Sequence, residues 1–405
     1  MSSINFLRNI QLRRIMILIT VLIMDLLAGM EFDIFVPSFP ELQSQFHLSA
    51  FLVEALLSIN FIGYCVSLFV VGGLSDHYGR KPMILIGLIL FIIGCLCCLL
   101  ETNYLFLLIG RFMQGLGIAA PAILSFLIIA DSYPIKQQQF FMAIMNGIMN
   151  AATGAAPVIG SYIALYFHWQ GNFIALLFLS LLTCLMVLLF IPQNKPQATK
   201  LPLSWRAYMP LFQSKPLLVL MSFFIINFIP YWVFVGMSPL LYLKDLHVSL
   251  THFGYYQGAL ALIFGIGSII FGFLLNKFDQ KKMVYIGNGI FILGLFAMSY
   301  ITIVNTHNPL LITLCFIPFI IGQIIPGAIL SPICLNFIPE AKGRASALMQ
   351  GGRLIICSMS LQLAAYFYDG SFRSVGVILS TFIFMTIIML FAVLNNPSLT
   401  KSLDE

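Results

Sequence analysis

Three carboxylates stand close together in an otherwise apolar stretch of the chain. Residues 24–40 read MDLLAGMEFDIFVPSFP and contain Asp25, Glu31 and Asp33. The surrounding apolar run is long enough to cross a bilayer. A charged side chain is costly in hydrocarbon, so an intramembrane carboxylate usually binds protons, ions or substrate. The chemistry expected of this segment is therefore reversible protonation inside a membrane.

The spacing of the three acids separates them into two sets. On a regular helix, Asp25 and Asp33 differ by roughly 80° around the axis and about 12 Å along it. These two can therefore face one cavity at two depths. Glu31 lies roughly 200° from Asp33. It should face a neighbouring helix or the outer interface, unless the helix is unwound at this point.

Arg111 is the basic residue whose predicted depth matches that of Asp33. Asp33 lies roughly 6 Å from the outer end of the first predicted helix, and Arg111 roughly 10 Å below the outer start of the fourth. A buried arginine stays charged. A nearby cation favours the ionised acid, whereas desolvation favours the neutral one. We hypothesise that Asp33 cycles a proton under the influence of Arg111, while Asp25 contacts substrate or proton deeper in the cavity. The alternative is that these groups form fixed ion pairs that orient the helices.

Arg353 lies in the sequence MQGGRLII, about 13 Å into the eleventh predicted span and near the midplane. Two interpretations stay open. Arg353 is either a counter-charge for Asp25 or Glu31, or a binding group for an anionic substrate, since a guanidinium suits carboxylates. Other polar and aromatic residues are candidates to line a substrate site, although helix packing explains each of them as well. They are Tyr64, Asn150, Tyr231, Trp232, Gln257 and Gln350.

The composition defines the elements that must position these residues. The chain has 405 residues, of which 60% are hydrophobic and 8% charged, with a mean hydropathy of +1.01. About a quarter of the residues are charged in a soluble domain. The chain is therefore a polytopic membrane protein in contact with the lipid bilayer, and helices are the spanning form that satisfies its backbone. The net charge of +6 is scattered, so nucleic acid is not an expected partner.

Apolar stretches of about 18–25 residues recur along the chain, each long enough for one crossing. The eight cysteines fall inside these stretches and are interpreted as small core residues; no metal site is expected. Twelve spans are predicted, at 14–36, 50–71, 83–101, 104–129, 139–163, 171–192, 216–241, 253–275, 282–302, 309–332, 343–367 and 373–394.

The basic residues predict the orientation. With the N-terminus inside, 16 of the 20 lysines and arginines lie on the cytoplasmic side, two in outer loops and two within spans. An excess of basic residues marks cytoplasmic loops. Both termini are therefore expected in the cytoplasm.

The spans divide into two similar halves. The longest polar connector, 193–215, separates an N-terminal six-helix half, 1–192, from a C-terminal half, 216–405. The sequence VGGLSDHYGRKPMILIG at 71–87 resembles FGFLLNKFDQKKMVYIG at 271–287, at an offset of 200 residues, with six of 17 positions identical. Duplicated halves indicate alternating access around a site near the midplane. No nucleotide-binding motif or catalytic constellation is found, so an ion gradient is the expected energy source, no cofactor is expected, and the protein is not expected to be an enzyme.

The repeated loop resembles a signature of the major facilitator superfamily. The first copy, GGLSDHYGRKP at 72–82, matches the loop between the second and third helices. The resemblance implies a twelve-helix fold of two pseudo-symmetric halves. It also implies that charges in this loop stabilise one conformation of the transporter. The corresponding conformational-switch residues are Gly72, Asp76, Gly79, Arg80 and Lys81.

Three further motifs narrow the resemblance to drug/proton antiporters. RFMQGLGIAAPA at 111–122 resembles their fourth-helix motif, and GAAPVIGSY at 154–162 their fifth-helix motif, with a bend expected at Gly154, Pro157 and Gly160. DIFVPSFPEL at 33–42 resembles the first helix of Bcr/CflA-type exporters, and the acids eight residues apart are similar to those of MdfA-type exporters. The resemblance implies a monomer in the bacterial inner membrane that exports amphipathic small molecules against protons. The alternative is transport of an anionic metabolite or a polycarboxylate siderophore.

Overall fold

The computed structural model describes residues 2–100, 103–133, 135–193, 209–274, 278–338 and 342–399, and within these ranges the chain is helical with no strand. Most of the predicted connector, residues 194–208, lies outside the described residues. The division of the chain at 193–215 therefore stays a prediction. Residues 101–102, 134, 275–277 and 339–341, between helices, also lie outside the described ranges.

The first half contains six helices, one of them very long. In chain order they are α1 (Ser2–Met30), the short α2 (Phe39–Gln45), α3 (Ala50–Tyr78), α4 (Arg80–Leu99), α5 (Tyr104–Ser132) and α6 (Ile135–Phe190). Helix α6 is divided by His168, whose φ of 59° and ψ of −173° are not helical. The two arms of α6, 135–167 and 169–190, therefore act as separate crossings.

The second half repeats this pattern with a broken first crossing. Its helices are α7 (Met209–Gln213), α8 (Lys215–Asn227), α9 (Ile229–Pro239), α10 (Leu250–Leu274), α11 (Gln280–Val304), α12 (Pro309–Asn336), α13 (Lys342–Tyr366) and α14 (Phe372–Leu394). A π-helical turn, Leu240–Asp245, follows α9, and together α8, α9 and this turn make one crossing.

The predicted set of twelve crossings is confirmed. In the described ranges, nine helical segments are long and apolar enough to span a membrane, and the segment Gly147–Phe190 contains both arms of α6. Helices α1 and α13 complete the twelve, although each carries three basic residues.

Polar side chains cap several of the helices. Ser49 accepts a hydrogen bond from the Leu52 amide at the start of α3, and Asn103 one from Phe106 at the start of α5.

The end of α1 differs from the prediction. The first span was expected to be helical to residue 36, but α1 ends at Met30, and residues 31–35 form turns that lead into a 3₁₀ turn, Val36–Ser38. Pro37 lacks an amide donor and disfavours helical backbone at the residue before it. Gly160 on α6 also brings its backbone against this segment, because a Cβ there would lie 1.9 Å from the Ile34 carbonyl oxygen. The acids at 31 and 33 thus stand on irregular backbone.

The internal repeat extends to the backbone at the outer end of the molecule, which is the end where α1 stops and α3 begins. His47 and His247 are 200 residues apart, and both have a φ of 52°. Two residues separate each histidine from the next helix, and the second of them is a serine, Ser49 before α3 and Ser249 before α10. The same left-handed turn therefore starts the second crossing of each half.

The two halves meet along two seams. In the first seam, α3 packs against α13, and Ser58 and Ser358 each donate a hydrogen bond of 3.2 Å to the other's carbonyl oxygen. In the second seam, α10 packs against the first arm of α6, and a Cβ at Gly258 would lie 2.8 Å from Val158. Toward the opposite ends of the helices, several glycines have no heavy atom of a described residue within 4 Å of the position that a Cβ would occupy: Gly72, Gly147, Gly265, Gly272 and Gly327. The halves are therefore closed together at the outer end.

Candidate proton and substrate site

A buried ion pair lies where α1 unwinds. Arg111 on α5 places its Nη1 atom 3.0 Å from Glu31 Oε1, and both side chains are fully buried. Asn60 on α3 donates a hydrogen bond of 2.6 Å to the same carboxylate oxygen and another of 3.0 Å to the Arg111 carbonyl. Such charge-assisted hydrogen bonds are stronger than neutral ones. The segment after α1 is therefore joined to α3 and α5 at one point.

Other contacts fix the orientation of the Arg111 guanidinium. It donates 2.6 Å to Gln114 Oε1 and 3.3 Å to the Leu56 carbonyl. Its central carbon lies 3.9 Å from the centre of the Phe35 ring, in cation–π geometry. The Nη2 atom has no hydrogen-bond partner within the described part of the chain. Arg111 is thus held by residues on α3, α5 and the unwound segment.

This pairing corrects the expected partner of Arg111. The sequence predicted that Glu31 points elsewhere and that Arg111 meets Asp33. Instead, Glu31 forms the ion pair, because the turn after Met30 removes the regular helical phase on which that expectation depended. The sequence allows for this arrangement only if the first helix is unwound near Glu31, and the structure shows that unwinding.

Asp33 is buried beside this pair and lacks a bonded partner of its own. It is 1% exposed, and neither carboxylate oxygen has a hydrogen-bond partner among the described residues. The charges of Glu31 and Arg111 both act on it. Its carboxyl is also close enough to Tyr231 of the second half to act electrostatically on the phenol. Asp33 is therefore a buried acid near both the ion pair and the second half.

Asp25 lies earlier on α1 and faces α5. Ser125 donates a hydrogen bond of 2.8 Å to Asp25 Oδ1, whereas Oδ2 is buried without a partner in the described ranges. One hydrogen bond from a hydroxyl does not offset the free-energy cost of burying a carboxylate charge. Asp25 is thus a second carboxyl on α1 that can change its protonation state.

Arg353 meets neither Asp25 nor Glu31. Its nearest bonded partner is Gln350 Oε1, at 3.1 Å, and its guanidinium lies 4.6 Å from the centre of the Phe228 ring. Its Nε atom is buried without a hydrogen-bond partner in the described ranges. A small cavity of about 20 Å³ lies beside it and is lined by Phe224, Phe228, Met349, Gln350 and Arg353. In this conformation the side chain is an unpaired cation at a cavity wall, with no carboxylate within 4 Å among the described residues.

The remaining predicted lining residues fall into two groups. An aromatic cluster joins the halves, because the Trp232 ring centre lies 5.0 Å from that of Phe61 and 6.0 Å from that of Phe32. Tyr64 packs on Phe32 at 5.6 Å, and Tyr231 on Trp232 at 5.8 Å. By contrast, Asn150 is exposed, and Gln257 donates a 2.6 Å hydrogen bond to Ser238 within the second half.

Comparison with known proteins identifies the family. The model of the major facilitator superfamily matches residues 21–361. The chain belongs to this superfamily. It is 24% identical over 359 residues to the chloramphenicol resistance protein CraA of Acinetobacter baumannii, covering 88% of this chain and 86% of that protein. It is 28% identical over 279 residues to a bicyclomycin resistance protein homologue of Haemophilus influenzae, covering 66% and 67%.

Solved structures of the superfamily share the fold. A D-xylose–proton symporter superposes with a TM-score of 0.75 at 15% identity, covering 93% of this chain and 97% of that one. The Escherichia coli xylose transporter XylE, in a partially occluded inward-open conformation, gives a TM-score of 0.71 with the same coverage. The chain is therefore a transporter of small molecules and not an enzyme, and its relatives are multidrug resistance proteins.

The superfamily loop between α3 and α4 makes its described contacts within the first half. Gly79 has a φ of 96° and a ψ of 157°, which side chains other than hydrogen rarely allow. Arg80 lies 3.4 Å from Asp131 and donates 2.6 Å to Ser75. Lys81 donates 2.7 Å to the Leu188 carbonyl on the second arm of α6. The side chain of Asp76 lies outside the described residues. Gly72 is surrounded by open space.

The fifth-helix motif of the superfamily provides close backbone approaches. A Cβ at Gly154 would lie 2.7 Å from the Ala261 side chain of the second half, and Gly160 contacts the unwound segment after α1. Pro157 lies inside the helix, and Ser161 donates 2.7 Å to its carbonyl oxygen. The motif therefore packs the first arm of α6 against both the acid-bearing segment and α10.

Sequence reasoning missed three residues around this site: Glu54, Gln114 and Ser125. The sequence gives little reason to select Gln114 or Ser125, since a single polar residue in an apolar span is common. Glu54 is different, because it is a fourth carboxylate in a predicted span and is fully buried. Its position five residues into a helix resembled that of an acid near a helix N-terminus, where the helix dipole favours negative charge.

Proposed function

We propose that this protein is a proton-coupled antiporter of the bacterial inner membrane, which exports amphipathic small molecules by alternating access. The superfamily and the multidrug resistance relatives support the transport class. Asp33, buried and without a hydrogen-bond partner, is the single observation that carries proton coupling. The proposal includes a monomer with both termini in the cytoplasm, in agreement with the distribution of basic residues.

In this proposal Asp33 takes and releases the transported proton. An isolated ionised carboxylate in a dry interior is costly, so Asp33 is neutral while it is enclosed. Arg111 is already balanced by Glu31 and does not provide a dedicated counter-ion. When the halves rock apart on one side, water reaches Asp33 and the proton can leave. Binding of a cationic substrate at Asp25 or Asp33 is then favoured by the ionised acid, so that proton and substrate compete.

The aromatic cluster provides the surface for an amphipathic substrate. Phe32, Tyr64 and Trp232 lie on three different crossings next to the acids. Aromatic faces bind apolar groups and, through cation–π contacts, also cations. This chemistry fits a lipophilic cation without requiring a specific hydrogen-bond pattern.

The test uses purified protein in liposomes with an imposed pH gradient. We expect ethidium, a fluorescent lipophilic cation, to accumulate against its gradient with wild type. The Asp33→Asn variant should lose gradient-driven accumulation while it still exchanges labelled for unlabelled substrate, because the acid is needed for the proton and not for rocking. Asp369→Asn, a change at an exposed loop acid, is the matched control and should behave as wild type. Uphill transport by Asp33→Asn would refute the assignment.

A second candidate function is transport of an anionic metabolite or polycarboxylate. The observation that favours it is Arg353, an unpaired guanidinium on a cavity wall. In the same liposomes, labelled citrate tests this candidate beside ethidium. Citrate transport that Arg353→Ala abolishes would support it. Ethidium transport that the Arg353 change leaves intact supports drug export.

A further inference from the structure

Glu54 is a buried carboxyl at the contact between the two halves. It is the fifth residue of α3, close to the outer end, and is 0% exposed. Neither Oε1 nor Oε2 has a hydrogen-bond partner among the described residues. The carboxyl packs on the backbone of α9 in the second half, because a Cβ at Gly236 would lie 2.8 Å from Glu54 Oε2. The same Cβ would lie 2.5 Å from Leu361 on α13.

The surroundings of Glu54 are the hydrogen-bonded seam between α3 and α13. One helical turn further along α3, Ser58 exchanges hydrogen bonds with Ser358 and accepts one of 2.9 Å from Gln362 Nε2. The other amide atom of Gln362, Oε1, is buried without a partner in the described ranges. Among the described residues, the seam thus contains an unpartnered amide oxygen besides the two unpartnered oxygens of Glu54. The protonated form of Glu54 adds a hydrogen-bond donor to this seam.

Among the described residues, no charged group compensates an ionised Glu54. Its carboxyl is fully buried and has neither an ion-pair partner nor a hydrogen-bond donor there. None of the charged or titratable groups described on the elements around α3 bonds to Glu54: Glu31 and Asp33 after α1, Glu41 on α2, Arg80 and Lys81 on α4, Arg111 and Asp131 on α5, Tyr231 on α9, Lys244 and Asp245 on the π-helical turn, and Arg353 and Cys357 on α13. An uncompensated buried carboxylate is costly, so the closed seam is compatible with the neutral acid.

We propose that Glu54 is a second proton-binding site of this transporter, which holds a proton while the outer ends of the halves are closed and releases it when they separate. The inference rests on alternating access in the proposed function, but not on the nature of the substrate. Separation of α3 from α9 and α13 exposes Glu54 to water, where a glutamate has a pKa of about 4.3 and ionises at neutral pH. Closing the outer end therefore requires one proton from the outer solution.

This site differs in its role from Asp33. Glu54 lies near the outer end and is covered when the molecule is closed there, so its proton returns to the side from which it came. It controls closure and is not carried across. Because one proton is bound on closing, lower outer pH favours the closed state, and the closed-to-open ratio changes by at most about tenfold per pH unit.

The experiment measures opening of the outer end directly. Spin labels are placed at Ser44→Cys on α2 and His307→Cys before α12, two exposed positions on opposite halves. The half-buried native cysteines Cys97, Cys184 and Cys315 are replaced by alanine. Distances between the labels are recorded in lipid nanodiscs from about pH 5 to about pH 8 by double electron–electron resonance. We expect the open population of wild type to rise with pH.

The Glu54→Gln variant keeps the shape of the neutral acid and cannot ionise. We expect the outer end of this variant to stay closed over the whole pH range, so that its open population does not rise with pH. Glu41→Gln, which changes a partly exposed acid on α2 that contacts His168, is the matched control and should open as wild type does. Infrared spectra provide a second readout, since the spectrum of closed wild type minus that of closed Glu54→Gln should contain the carbonyl band of one protonated carboxylic acid.

The outcomes separate this inference from the proposed function. Equal pH dependence of opening in wild type and Glu54→Gln, or a wild type whose label distance does not change with pH, overturns the role of Glu54. Ethidium transport in liposomes is scored independently. Absence of pH-driven ethidium transport by wild type overturns the proposed antiport, whatever the label distances show.

Discussion

The buried pair of Glu31 and Arg111 gives a prediction whose size can be worked out from its contacts. Glu31→Gln keeps an oxygen that can accept the 2.6 Å hydrogen bond from Asn60 but removes the negative charge. Arg111 is 0% exposed and cannot lose its proton, so it becomes an uncompensated buried cation. Removing one partner of a buried pair costs about 3–5 kcal/mol. We expect the free energy of unfolding to fall by that amount.

The reverse change should cost a similar amount for different reasons. Arg111→Met leaves Glu31 without its counter-charge and also removes the donors to Gln114 and to the Leu56 carbonyl. Buried acceptors left unsatisfied cost about 1–3 kcal/mol each, although Glu31 can reduce its own cost by taking up a proton. When both changes are combined, no unpaired charge remains. The double variant should therefore be at least as stable as either single variant, so that its cost falls short of the sum of the two single costs by at least about 3–5 kcal/mol.

Equilibrium unfolding in mixed detergent micelles measures these free energies. The thiols of Cys95 and Cys98 are buried next to the pair, and their reactivity reports unfolding. Glu41→Gln is the control, because its contact with His168 is exposed and such pairs contribute about 0–1 kcal/mol. If the costs of the two single variants sum to the cost of the double variant within about 0.5 kcal/mol, Glu31 and Arg111 do not stabilise each other.

Two glycine substitutions test the close approaches described above. Gly160→Ala places a methyl group 1.9 Å from the Ile34 carbonyl oxygen, so we expect a loss of about 1–3 kcal/mol and impaired ethidium transport, measured by unfolding and in liposomes. Gly147→Ala on the same arm of α6 meets open space and should be neutral or stabilising; an equal loss in both variants would contradict the packing argument. Gly79→Ala forces a side chain into a backbone region that is almost exclusive to glycine and should cost about 1–3 kcal/mol, whereas Gly72→Ala, within helix α3 and surrounded by open space, should not reduce stability.

The crossings and their pairing into halves could be predicted because they depend on local properties. Length and hydropathy define each span without reference to its neighbours, and the repeat at 71–87 and 271–287 is visible in the letters alone. The superfamily followed from the same motifs. Most helix boundaries agree with the predicted ones within a few residues. The exceptions are the first span, whose helix begins at Ser2 and ends at Met30, the second, whose helix extends to Tyr78, and the seventh, which π-helical backbone interrupts.

The partners inside the site could not be predicted, since they depend on how helices rotate against one another. The phase argument for Asp25, Glu31 and Asp33 required regular helix through residue 36, and the turn after Met30 removed it. Glu54 gave no signal that distinguishes it from a solvated acid at a helix start. Its burial results from α9 and α13, which follow it by more than 170 residues in the chain.

The two seams between the halves are related by the internal repeat, yet they differ in their bonding. Ser58 and Ser358 in one seam occupy the positions of Gly258 and Val158 in the other, and Glu54 occupies the position of Gly254. Hydrogen bonds depend on direction and hold one relative placement of two helices. The other seam is formed mainly by close packing at Gly154 and Gly258, and its hydrogen bond of 2.7 Å between the Tyr162 and Tyr255 hydroxyls is exposed. Two copies of one half thus form two unequal contacts, and we expect α10 to rotate against α6 more easily than α3 against α13.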